Sequence, residues 1–84
     1  MTKIIAAREA NEGVSLRKLT VIINGEETVF EKGASETELA EVSLNNGDSV
    51  TIKSEDIAGD DTVSISHTLQ FIVDSELSEI IIPE

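Results

Sequence analysis

Residues 42–73 read VSLNNGDSVTIKSEDIAGDDTVSISHTLQFIV, and this stretch decides the fold of the 84-residue chain. It contains three runs in which apolar residues alternate with polar ones, and the runs include Val42, Val50 and Val63. Alternation with a period of two is typical of a strand with one buried face. Segments rich in Gly, Asn and Asp separate the runs, and these residues form turns. The stretch therefore predicts an antiparallel meander of three strands.

The third run, from Val63 to Val73, is longer than the roughly 5–6 residues of a typical strand. We therefore expect a bend or bulge near His67 that turns the imidazole toward solvent. If the alternation is unbroken instead, His67 falls on the apolar face between Ile65 and Leu69. There it would be a pH-sensitive group.

The same alternation continues upstream in a predicted strand over residues 14–23. One face of that strand carries Arg17, Leu19, Val21 and Ile23. Asn24-Gly25 follows, and Asn-Gly between two strand-like runs is a strong signal for a type I′ hairpin. A return strand is expected over residues 26–31.

Two segments are less clearly strands. Ser35 lies three residues before Glu38, as in a helical capping box, but alternation over residues 40–44 favours a strand there. Ile4-Ile5 marks either a short first strand or the start of a helix, since the residues that follow are good helix formers. We favour a strand in both places because the rest of the chain is predicted to be β.

Length and composition limit the classes of function. Eighty-four residues allow one domain, 1–84, with a thin core of Val, Ile and Leu, because the chain has two Phe and no Trp, Tyr or Cys. A net charge of −11 argues against binding nucleic acid and against binding an anionic membrane. No export signal is recognisable at the N-terminus, so we expect the chain to be made and kept in the cytoplasm unless it leaves by an unusual route.

The acidic segment over residues 55–61 is a candidate cation site. Its carboxylates are Glu55, Asp56, Asp60 and Asp61, and hard cations such as Ca²⁺ bind six to eight oxygens. The spacing is not that of an EF-hand. The alternative is turn chemistry, in which Asp56 caps its own backbone and Gly59 adopts a positive φ. No other cofactor is expected.

Enzymatic activity is not expected. The paired carboxylates lie in predicted turns, where water screens them rather than separating their pKa values. A single histidine and the absence of a Gly-x-Ser-x-Gly elbow give no nucleophilic triad. No glycine-rich phosphate-binding loop is present.

Residues 13–74 resemble bacterial immunoglobulin-like and fibronectin type III-like domains. The residues that carry the resemblance are Gly13-Val14, the hairpin from Leu19 to Gly25, Val42-Ser43-Leu44, Gly47-Asp48, Val50-Thr51-Ile52 and Asp56-Ile57-Ala58-Gly59-Asp60. The tryptophan and tyrosine usual in those families are missing. The resemblance implies an all-β, immunoglobulin-like antiparallel sandwich of about seven short strands, used for adhesion, spacing or assembly. It implies no catalytic residues.

Two hypotheses of function follow. The first is a structural or interaction module of a bacteriophage virion, a capsid decoration protein or a tail or fibre accessory, assembled in the host cytoplasm. Its partners would be proteins, either further copies in a homo-oligomer or the larger virion. Residues 1–10 and 75–84 would be assembly arms that add strands to neighbours. The isoleucines of these arms are Ile4, Ile5, Ile80, Ile81 and Ile82.

The second hypothesis is a Ca²⁺-stiffened immunoglobulin-like module excised from a bacterial adhesin at the cell surface. An enzyme inhibitor or a mimic of nucleic-acid charge is a more distant third.

Overall fold

The computed structural model describes residues 1–83. Seven strands account for its regular structure, and no helix occurs within those residues. The strands are β1 (Thr2–Ala6), β2 (Val14–Ile23), β3 (Glu26–Gly33), β4 (Glu38–Val42), β5 (Ser49–Ala58), β6 (Val63–Ile72) and β7 (Glu79–Ile82).

The strands form two sheets that face each other across the core. One sheet has the order β4-β1-β7 and the other β3-β2-β5-β6. The predicted all-β sandwich of seven strands is confirmed. Two details differ: β1 and β7 run parallel, and β2, β5 and β6 have 10 residues each rather than being short.

The core consists of side chains from the two facing surfaces. Period-two alternation supplies most of them, as predicted for β2 and β5. The buried apolar residues are Ile4, Ala6, Leu19, Val21, Leu39, Ala40, Val42, Val50, Ile52, Val73 and Ile82. Phe30, Leu69 and Phe71 pack against them at the sides of the larger sheet. Branched aliphatic residues therefore fill the sandwich almost unaided.

The Asn24-Gly25 hairpin is confirmed, with φ of 52° and 86° at these two residues. Hydrogen bonds also join this turn to the connection between β4 and β5. Asn24 donates its amide to Asp48 Oδ1 at 2.9 Å and accepts the Ser49 backbone N–H at 2.9 Å. Asp48 in turn accepts the Asn45 backbone N–H at 2.9 Å. Two loops that connect different strand pairs are thus joined at one end of the sandwich.

Residues 38–42 form strand β4, and the helix alternative is wrong. The structure replaces the predicted capping box with a turn in which Gly33 N–H donates to Glu36 Oε2 at 2.9 Å. The β4 register against β1 then shifts at Ile4 and Ile5, so that Leu39 and Ala40 both point into the core. A β-bulge of this kind places two successive residues opposite one.

The irregularity predicted near His67 lies elsewhere. His67 pairs in continuous register with Ser54, and the register shift falls between Asp56 and Ile57, which pair with Ile65 and Val63 and leave Ser64 without a partner on β5. β6 is therefore one strand of 10 residues. His67 remains on the inner face, partly buried, between Ile65 and Leu69.

Candidate functional site

The acidic segment is divided between a strand and a turn. Glu55 and Asp56 belong to β5, so their side chains point to opposite faces of the sheet. Asp60 and Asp61 lie in the turn before β6. The four predicted Ca²⁺ ligands therefore do not converge on one point. Within residues 1–83, no group of three or more His, Cys, Asp or Glu side chains is placed to hold a metal ion.

Asp60 accepts hydrogen bonds within its own turn. Its Oδ1 accepts the Thr62 hydroxyl at 2.6 Å and the Thr62 backbone N–H at 3.2 Å. These bonds, the hydroxyl first, lower the pKa of Asp60 below its ordinary value of 3.8. Asp61, not Gly59, adopts the positive φ, at 68°, a conformation that Asp tolerates better than most residues. The turn-chemistry alternative is correct in kind but wrong in the residues it named.

Asp56 forms a buried ion pair with Arg17. Arg17 Nε donates to Asp56 Oδ1 at 3.1 Å, and both side chains are 1% exposed. The two residues are direct cross-strand partners on the inner face of β2 and β5. Removing charges from water is costly, so such a pair is tolerated only where each charge is neutralised and hydrogen-bonded.

Arg17 also holds two loops. Its Nη1 donates to the Arg8 carbonyl at 2.8 Å and to the Glu36 carbonyl at 3.0 Å. Arg8 belongs to the β1–β2 connection and Glu36 to the β3–β4 connection. Both connections cross between the sheets, so one guanidinium closes this end of the sandwich. The fork of donors on Arg suits this task, and Lys could not reproduce it.

The sequence contained the signal for this pair. Arg17 lies two residues before the buried Leu19 in β2, and Asp56 lies four residues after the buried Ile52 in β5. Because residues an even number apart in a strand share a face, each belongs to a buried face. Counting residues 55 and 56 as part of a turn hid the pairing, because a charged residue next to Gly and Asp resembles a solvated loop.

The terminal isoleucines are mostly part of the domain's own core, which corrects their assignment to assembly arms. Ile4 is 0% and Ile82 is 1% exposed. Ile80 packs against the core, and Ile5 is partly buried. Only Ile81 is strongly exposed, at 51%, on the outer face of β7. The reason is that β7 adds to β1 of the same chain, which buries the inward side chains of both terminal strands.

His67 lies opposite Ser54, whose side chain is buried on the inner face of β5. A hydrolytic constellation would also need a carboxylate to orient the imidazole. Asp56 is the acidic residue of β5 on this face, and Arg17 already engages its carboxylate. This geometry does not assemble a triad.

The four edge strands differ in how they are protected. Natural edge strands carry charges, proline or bulges that prevent pairing with other chains. β3 carries Glu26, Glu27, Glu31 and Lys32, β4 carries Glu38 and Glu41, and β7 begins with Glu79. β6 is at the edge of the larger sheet, has 10 residues and contains no Asp, Glu, Lys or Arg.

The outer face of β6 has only small polar side chains between two exposed apolar residues. Ser66, Thr68 and Gln70 are exposed there, while Val63 is 49% and Ile72 is 60% exposed. No Asp, Glu, Lys, Arg or Pro in β6 blocks a second strand from approaching along this edge. The β6 edge, meaning the side of Val63–Ile72 away from β5, is the candidate interaction site. Sequence reasoning missed it because it gave no order of strands within the sheets.

Comparison with known proteins gives no relative: no family model matches the chain, and neither a curated protein nor a solved structure is significantly similar to it. None of the residues 1–83 belongs to a helix long and apolar enough to cross a membrane.

Proposed function

We propose that this protein is a non-enzymatic structural or interaction module that assembles through its β6 edge. The observation that carries the proposal is the contrast between that edge and the rest of the molecule. The chain has a net charge of −11, and its other edge strands carry acidic residues, yet the ten residues of β6 carry none. Strand addition at an exposed edge is an established mode of protein recognition.

The assembly we propose is a bacteriophage virion, in which the protein is a capsid decoration protein or a tail or fibre accessory. A sandwich without cysteine folds in a reducing cytoplasm and needs no disulfide when it later acts outside the cell. Its acidity keeps it soluble before assembly. Its partners are proteins, either copies of itself or neighbouring virion proteins.

Mass spectrometry of purified phage particles tests this proposal. We expect peptides of the chain in a fixed ratio to the major capsid or tail protein, and its coding sequence among structural virion genes. Particles that lack the chain after purification, with unrelated genes on both sides, would refute a virion role.

A second candidate is a spacer module of a bacterial surface adhesin. The parallel pairing of β1 and β7 favours it, because the chain enters the smaller sheet at one end and leaves it at the other. Such geometry suits domains linked in tandem. Stiffening by Ca²⁺ would require Glu55 and Asp56 to leave opposite faces of β5. Thermal melting with and without millimolar Ca²⁺ tests that form, and an unchanged melting temperature rejects it.

A further inference from the structure

We infer that the partner of the β6 edge is a second copy of this chain, whose β6 pairs antiparallel with the first. Two four-stranded sheets would then become one sheet of twice the width. This inference rests on the proposed function and deepens it by naming the occupant of the edge.

The backbone direction follows from Val73. Its N–H donates to the Asp48 carbonyl at 2.9 Å, and its carbonyl accepts the Gly47 N–H at 2.7 Å, so both groups point toward the β5 side. Peptide groups alternate in direction along an antiparallel strand. The even-numbered residues of β6 therefore point their N–H and C=O groups away from β5. The residues that present these free groups are Ser66, Thr68, Gln70 and Ile72.

A twofold axis through Thr68, perpendicular to the sheet, makes this edge complementary to itself. Thr68 then faces Thr68 of the partner subunit in a hydrogen-bonded pair. On the inner face, Ile65 lies opposite Phe71 of the partner subunit, and His67 lies opposite Leu69 of the partner subunit. On the outer face, Ser66 lies opposite Gln70 of the partner subunit. On the inner face one pair is thus apolar and the other joins an imidazole to Leu, and on the outer face polar side chains meet polar ones.

Charge selects this edge for contact between two copies. Molecules with a net charge of −11 repel each other, so they can approach only where the surface lacks carboxylates. β6 contains no Asp or Glu, and Lys53 and Glu55, the charged residues beside it on the outer face of β5, lie 4.0 Å apart and offset each other. Since salt screens the remaining repulsion, the dimer should become more stable as ionic strength rises.

The interface is small. A strand of 10 residues is about 33 Å long at roughly 3.3 Å per residue and only one strand wide. The area buried would fall below the roughly 1,200 Å² of a standard stable complex. We therefore expect a reversible dimer that forms as the concentration rises from micromolar to millimolar.

Disulfide trapping tests the register, and the chain is suited to it because it has no native cysteine. In the proposed pairing, Thr68→Cys meets its own copy about 5.5 Å away between Cα atoms, within disulfide reach. Ser66→Cys is the register control, because it faces Gln70 of the partner subunit and lies about 13 Å from its own copy. Val29→Cys, exposed on the other edge strand of the same sheet, controls for random collision.

Oxidation should cross-link Thr68→Cys at least about tenfold faster than either control, because only that pair falls within disulfide reach. Analytical ultracentrifugation with interference optics, needed because Trp and Tyr are absent, should show wild type approaching twice the 9.0 kDa monomer mass. Thr68→Lys should remain monomeric, because two like charges would face each other on the axis. Gln70→Pro should also remain monomeric, because it removes an outward N–H while sparing the β5 ladder.

Equal cross-linking at all three positions, or a monomeric wild type at millimolar concentration and high salt, would overturn the inference. Circular dichroism of Thr68→Lys and Gln70→Pro checks that the sandwich remains folded. The particle experiment separates the two proposals: a monomer that is still found in virions refutes the dimer and leaves the virion role standing. A dimer that is absent from virions refutes the virion role and leaves the dimer standing.

Discussion

Replacing Arg17 should destabilise this domain more than replacing any other basic residue. Arg17→Met leaves the Asp56 carboxylate buried without its countercharge, a change that typically costs about 3–5 kcal/mol. It also removes the donor to the Arg8 and Glu36 carbonyls, and each lost hydrogen bond costs about 1 kcal/mol. The total loss is therefore about 5–7 kcal/mol.

That loss is large for a domain of this size. At about 0.05–0.15 kcal/mol per residue, 84 residues have a free energy of unfolding of about 4–13 kcal/mol. A loss of 1 kcal/mol lowers the melting temperature of such a domain by about 4–8 °C, so we expect a drop of at least about 20 °C. If the free energy of unfolding of the wild type lies at the lower end of that range, Arg17→Met will be unfolded at room temperature.

The double variant Arg17→Met/Asp56→Leu tests the role of the buried pair even if the single variants do not fold. It removes both charges together, and replacing a buried pair with apolar residues is often neutral or stabilising. Only the two loop carbonyls then lose a partner, at a cost of about 2 kcal/mol. The double variant should therefore be more stable than either Arg17→Met or Asp56→Leu alone.

Urea unfolding followed by far-UV circular dichroism measures these differences, since the chain has no tryptophan for fluorescence. Lys3→Met is the matched control. It breaks the 3.6 Å pair with Glu38, in which both side chains are about half exposed, so it should cost less than about 1 kcal/mol. If Arg17→Met costs no more than Lys3→Met, or if the two single losses add in the double variant, the buried pair does not have the role assigned here.

Three further outcomes are expected. Ile82→Ala should cost about 2–5 kcal/mol in urea unfolding because the side chain is buried, whereas Ile81→Ala on the exposed face should cost far less; equal losses would mean that β7 does not close the core. The Asn45 backbone N–H, and then the Asn24 amide, hold the pKa of Asp48 below its ordinary value of 3.8. The contribution of Asp48 to the stability of the fold is therefore full above pH 3.8 and is lost as the pH falls through the lower folded-state pKa. Asp48→Asn should flatten that part of the acid-unfolding curve, and an unchanged curve would contradict the assignment. Millimolar Ca²⁺ should leave the melting temperature unchanged, and a rise above about 4 °C, equivalent to about 1 kcal/mol, would show that carboxylates do converge on an ion.

Local patterns predicted the strands well, and for identifiable reasons. Asn24-Gly25 specifies its turn through the backbone, because both residues accept positive φ at little cost. Alternation around Leu19 and Ile52 specifies which side chains are buried, because successive side chains of a strand point to opposite faces. These signals depend only on residues near each other in the chain.

The candidate site required information that such patterns do not contain. An edge strand is defined by the strand that is missing beside it, and the order within each sheet depends on contacts between distant residues. The buried pair of Arg17 and Asp56 illustrates the same limit, because each residue alone resembles a solvated charge. Ile4 and Ile82 were misassigned because nothing local shows that β1 and β7 pair with each other.

The pairing of β1 with β7 also orders events during synthesis. The Thr2 hydroxyl donates to the Leu77 carbonyl across 75 residues of chain, so β1 waits for almost the whole polypeptide before its sheet can be completed. The hairpins of β2 with β3 and of β5 with β6 close short loops and can form while the chain is still growing. Contacts between such distant residues slow folding. The smaller sheet should therefore be the last part of the domain to become protected from hydrogen exchange.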